Sequence, residues 1–154
     1  MISLLDMTSD IRVDQKSTDG IIAGTNVMTM QGELPVETLA VGDKIITRDS
    51  GMAVLREIRI LTLSVAPIRF KAGSLGHTRP DRDTYLSPDA KVHLRDWRAQ
   101  ALYGKSSVLV CASKIVDGEY VAQMPCRDVM AFELVFDQEH ILYADGLEVG
   151  SSSR

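Results

Sequence analysis

Cysteine is scarce in this sequence: two in 154 residues, Cys111 and Cys126, with no CxxC pair. That excludes a disulfide framework and a thiolate zinc site. Both are read as small buried hydrophobes, with a disulfide between them left open. Histidine is almost as rare, and His77, His93 and His140 are too dispersed for a ligand set, so no metal and no cofactor is expected. Positive charge is not in excess either. Twenty-one acidic residues against 17 basic ones leave a net charge of -4, without the basic stripe that nucleic acid or an anionic membrane surface demands. Long apolar runs are missing, and a membrane-spanning helix needs about 18 such residues. The short apolar start, Met1 to Met7, has no basic segment before it and is followed by Asp10 and Asp14, so no signal peptide is expected and a soluble, cytoplasmic protein is.

What is present is ordinary for one globular domain: 45% hydrophobic and 25% charged residues, enough chain to bury a core without staples. Residues 1–19 are polar and aperiodic from Thr8 and read as a flexible arm, and residues 150–154 as a flexible tail. Between them the pattern is of short strands and turn residues, which predicts an all-β domain of about ten strands with one or two helical turns. Turns are expected at Gln31-Gly32-Glu33, Val41-Gly42-Asp43 and Asp49-Ser50-Gly51, and a hairpin at Asp117-Gly118. Pro35 to Leu39 suits a single helical turn. Ala53 to Ser64 alternates imperfectly, as a doubly buried or bent strand would. Arg95 to Gly104 fits a short helix or a strand pair. Trp97 and the methionines Met28, Met30, Met52, Met124 and Met130 are read first as core residues.

Two stretches carry more information than composition does. The front one runs Gly20-Ile21-Ile22-Ala23-Gly24-Thr25, a strand, a glycine turn at Gly32, then Pro35-Val36-Glu37 and Val41-Gly42-Asp43-Lys44-Ile45. The rear one runs from Phe132 through His140 to Tyr143-Ala144-Asp145-Gly146-Leu147, and between them lie Leu86-Ser87-Pro88-Asp89 and Asp96-Trp97-Arg98. In order and spacing these resemble the Hedgehog/intein (Hint) superfamily, closest to the bacterial stand-alone type, over residues 20–149. The resemblance implies a horseshoe-like twisted β fold with pseudo-twofold symmetry, its N- and C-terminal strands side by side and Gly24, Gly42 and Gly146 in tight turns. It also implies a domain that cuts or rejoins its own flanking chain.

That chemistry needs a Cys, Ser or Thr after the scissile bond, whose attack on the preceding carbonyl turns an amide into a thioester or ester. It needs a histidine in a Thr-x-x-His turn to protonate the leaving nitrogen, and a further histidine late in the chain. Splicing members add a terminal His-Asn. Laid on that pattern, the nucleophile position is Gly20, the turn is Ser87-Pro88-Asp89-Ala90 with alanine for histidine, and the terminal pair is Gly150-Ser151. Only His140 is retained as a catalytic candidate; Gly20, Ser87, Ala90, Gly150 and Ser151 are vestigial. Ser17 and Thr18 are poor substitutes for the nucleophile, being roughly 6.6 Å along a strand from its place. His93 stands three residues past Ala90, on the wrong face. Asp89 would need a much raised pKa.

The expectation is therefore a Hint domain that has lost self-cleavage, more module than enzyme, with a structural, regulatory or protein-interaction role. Its partners would be its own flanking polypeptide or another peptide. The alternative is residual autoprocessing by a non-standard route assisted by His140, whose bland reading is a structural histidine. His77 is read as solvent-exposed.

Overall fold

The structure, a computed structural model, describes residues 20–76 and 78–153; the expected N-terminal arm and His77 lie outside them. Among the described residues, fifteen strands are joined by turns, and the helical part is α1 (Trp97–Tyr103) with 3-10 turns at Val36–Thr38 and Ala112–Ile115. The undecided stretch after Arg95 is thus a helix. Asp96 explains why: its side chain accepts the Arg98 amide at the N-terminus, and Gly104 closes the helix in the left-handed conformation.

One sheet is built on β12 (Arg127–Phe136), which pairs antiparallel with β6 (Glu57–Val65) along one edge. Its other edge holds two short strands, β1 (Ile21–Ile22) and β15 (Ser152–Ser153). From Ala131 to Phe136 every β12 side chain is buried, because the strand is covered on both faces. A second sheet runs β10 (Val108–Cys111), β9 (Lys91–Leu94), β14 (Leu147–Gly150), β13 (Ile141–Ala144), β2 (Asn26–Thr29), β4 (Lys44–Thr47), β5 (Gly51–Val54), with β3 (Gly32–Pro35) on β2. A small third sheet joins β11 (Val121–Gln123), β7 (Ile68–Phe70) and β8 (Thr84–Leu86).

The stretch Ala53 to Ser64 is two strands in two sheets. Leu55 is fully buried and its amide returns to the Asp43 carbonyl, while the next amide, Arg56, bonds the Val135 carbonyl. A single buried leucine thus hands the chain from the second sheet to the first, and the sequence sees only the imperfect alternation. The turn at Asp117-Gly118 does not make a hairpin of neighbours, since β11 pairs with β7. Asp117 closes it instead by accepting the Glu119 and Val121 amides.

The core is aliphatic, with Phe70, Phe136, Ile45, Leu55 and Ile68 among its largest wholly buried side chains; each contributes roughly 1.5–3 kcal/mol by leaving water. Trp97 is outside it, 67% exposed with the Arg98 guanidinium over its ring, contrary to the core reading. Met30, Met52 and Met130 are exposed too. Met30 lies in the turn after β2 and the other two on strands with a face open to solvent, and the flexible thioether tolerates either setting. Both cysteines are free, Cys111 half-buried and Cys126 exposed, so the second is not the buried hydrophobe expected. Among the described residues no helix is long and apolar enough to cross a membrane. The stretch expected as a tail carries the end of β14 and the whole of β15.

Candidate functional site

β12 brings the two ends of the described chain to one place. Ile21 pairs with Phe132 and Ile22 with Ala131, and Gly20 just before them lies against Ala131 and the Phe132 backbone. Ser152 pairs in parallel with Val135, and Ser153 with Phe136. Since β6 fills the other edge, β1 and β15 lie end to end along one edge and not side by side as expected. The reason is that β12 is long enough to template both short strands. The shallow cleft at this seam is lined by Gly20, Glu133, Leu134, Gly150, Ser151 and Ser152.

Gly20 offers no side chain, and one would be crowded: an added Cβ lies 3.1 Å from the Ala131 Cβ and from the Phe132 backbone. Gly150 is tight as well, with the Lys91 Cβ 3.3 Å from where its own would stand. Ser87 and Ala90 bracket the turn between β8 and β9, with the Ala90 amide donating to the Ser87 carbonyl at 3.1 Å. β8 in turn lies against β1. Ala90 is buried and has no group to transfer a proton, and the fully buried Ser87 hydroxyl has no hydrogen-bond partner among the described residues.

His140 sits in the turn before β13, not on the strand. Its amide donates to Ser151 Oγ at 2.9 Å and its carbonyl accepts the Ser151 amide at 2.9 Å, a reciprocal clasp on the residue before Ser152. Its buried ring stands edge-on to Phe136, with Nδ1 3.0 Å from Asp49 Oδ2. The ring does not line the cleft at the seam. Burial pushes the Asp49 carboxyl up, but hydrogen bonds from the Ile141 amide and His140 outweigh it and hold it below the ordinary aspartate range. This arrangement fits a structural histidine held by a carboxylate and a serine.

Three carboxylates escaped the sequence reading. Glu133 is 7% exposed; Oε2 accepts Ser152 Oγ at 2.6 Å and Oε1 faces Arg59 Nη1 at 3.4 Å. Its signal was present, as the one charge inside the apolar run Ala131 to Phe136. Asp145, at the positive-φ turn with Gly146, accepts the Asn26 amide, Arg82 and the Thr84 hydroxyl, tying β2, the loop before β8 and the β13–β14 turn together. Glu148 is surrounded by three arginines and a histidine. Arg95 chelates both its oxygens (Nε at 3.1 and 3.0 Å), His93 Nδ1 lies at 2.7 Å, Arg79 donates at 3.0 Å, and Arg48 approaches to 3.5 Å. His93 is thereby committed to this cluster.

The fold is that of solved inteins and intein-like domains. An intein-like domain from Clostridium thermocellum matches 87% of this chain and 98% of its own at 15% identity, TM-score 0.59. The AceL NrdHF class 3 split intein matches 88% and 99% at 11% identity, TM-score 0.55. The MchDnaB-1 intein matches 86% and 99% at 11% identity, TM-score 0.54. Comparison with curated protein sequences gives no match. The sequence pattern of the Hint domain family matches residues 20–153. With that pattern spanning nearly the whole described chain and joining both ends at β12, the chain belongs to the Hint domain family.

Proposed function

We propose that this Hint domain has lost self-cleavage by the family's route and persists as a module acting on polypeptide, in the first place its own flanking chain. The observation that carries the reading is Gly20. Acyl transfer has to begin with a side-chain attacker beside the target amide, and position 20 has none and little room for one. Ala90 supports it, because a methyl group cannot protonate a leaving nitrogen. Gly150-Ser151 supports the loss of splicing, since neither residue can cyclise to release a downstream segment.

What remains is the seam. β12 holds Ile21 and Ser152 on one edge, and the His140–Ser151 clasp fixes the approach of the second. A scaffold of this kind serves by holding two flanking segments together, in a structural, regulatory or protein-interaction role. The His140-assisted alternative draws little support, with the ring turned to Asp49.

The test is a fusion carrying a folded passenger before residue 1, incubated with and without thiol and followed by intact mass. No thiol-accelerated release of the passenger is expected. Release at the bond before Gly20 that thiol speeds up would sink the reading.

A further inference from the structure

The outer face of the second sheet carries charge that its own residues do not balance. Thr47, Val92 and Val149 point from β4, β9 and β14 into the core. Alternation sends their neighbours Arg48, His93 and Glu148 to the opposite face, with Arg95 two residues past His93, and Arg79 joins them from the loop before β8. We propose that this face binds a doubly charged oxyanion of the phosphate class, held by Arg48, Arg79 and Arg95. The inference stands apart from the loss of self-cleavage, and neither depends on the other.

Three observations carry it. The first is charge. Three guanidiniums against one carboxylate leave an excess of two positive charges. Asp96 lines the same shallow depression as Arg79, Arg95 and Glu148, but it is committed to the Arg98 guanidinium at 2.6 Å and to the first turn of α1. In a chain of net charge -4 the excess is local. A phosphate monoester, at about -1.5 to -2 near pH 7, matches it, where a single carboxylate answers half.

The second observation is saturation. A carboxylate offers about four lone-pair sites, and Glu148 already meets three contacts from Arg95, one from His93 and one from Arg79. Arg48 is left over. Its Nε stands 3.5 Å from Glu148 Oε1, a charge contact without a hydrogen bond, and among the described residues no acceptor takes its guanidinium donors. The third is access. The side chains of Arg48 and Arg95 are 39% exposed and that of Arg79 24%, while that of Glu148 is 1% exposed. An arriving anion therefore meets guanidinium and not carboxylate. The buried acid holds the forks in place, and planar forks take phosphate oxygens two at a time.

The test is a titration of the isotope-labelled full chain with inorganic phosphate, followed by the NMR signals of the arginine Nε–H groups, against sodium chloride at the same ionic strength. Saturable shifts at Arg48 and Arg95 are expected with phosphate and not with chloride. Arg48→Gln should weaken binding about tenfold, the loss of one charge-assisted contact, and Arg48→Lys, which keeps the charge without the fork, should fall between. Arg127→Gln, whose guanidinium lies over the Tyr85 ring, should leave binding unchanged. Circular dichroism establishes that each variant is folded. O-phosphoserine binding more tightly than inorganic phosphate assigns the site to a phosphoester, and equal binding assigns it to the free anion. The inference is overturned if no shift saturates, if chloride reproduces the shifts, if acetate binds as tightly as phosphate, or if Arg48→Gln binds as the parent does.

Discussion

Replacing Glu148 with glutamine removes one charge and almost no volume, and it should be among the most damaging single changes in this chain. The carboxylate is 1% exposed and receives Arg95 through three contacts, along with His93, Arg79 and Arg48. Glutamine keeps one oxygen acceptor but turns a second donor group toward donors. Breaking a buried ion pair from one side costs about 3–5 kcal/mol. The three arginine side chains are 24–39% exposed and water recovers part of their solvation, so about 2–4 kcal/mol is the working figure. With a urea slope of about 2 kcal/mol/M the unfolding midpoint falls by roughly 1–2 M.

The pH dependence is the sharper test. Burial raises the Glu148 carboxyl, but the hydrogen bonds of Arg95 and His93 and the charges of Arg95 and Arg48 together hold it below the ordinary glutamate range. A depressed folded value means stability that is present above the unfolded pKa, about 4.3, and is lost as pH falls through the folded value. The gap between parent and Glu148→Gln should therefore be full at neutral pH and close on acidification. A midpoint unchanged by the substitution, or a gap that widens as pH falls, would refute the role given to this carboxylate.

The neighbouring contacts give four more expected outcomes. Asp49→Asn removes the anchor of the His140 ring and should cost about 1–2 kcal/mol, with Asp49→Asn and His140→Ala non-additive in a double-mutant cycle followed by urea unfolding. Gly20→Cys should destabilise by about 1–3 kcal/mol, since a Cβ there presses on the Phe132 backbone, and with Ala90 unchanged it should yield no thiol-triggered cleavage by intact mass. Trp97→Ala should change the unfolding midpoint little, by less than about 0.5 kcal/mol, because the ring is exposed. Asp145→Ala breaks a three-way junction held by the Asn26 amide, Arg82 and Thr84 and should cost about 2–4 kcal/mol by the same assay.

The all-β class, most turns and the family pattern were legible in the sequence, because periodicity and glycine placement are local properties of backbone sterics. Gly146 is such a case, a left-handed turn residue that the Tyr143-Ala144-Asp145-Gly146 stretch announces. The absence of a reactive side chain at Gly20 and Ala90 was equally plain, since a missing functional group needs no geometry to be recognised. The hand-over at Leu55 and the pairing of β11 with β7 were not, because strand partners are chosen by burial among residues distant in sequence. The same holds for the exposed Trp97 and for Glu148, whose arginine partners Arg48, Arg79 and Arg95 come from separate segments. Residue types alone determined that position 20 carries no side-chain nucleophile. Only the tertiary structure decided that Glu133 and Ser152 meet there, since that takes one long strand offering a single edge to both ends of the domain.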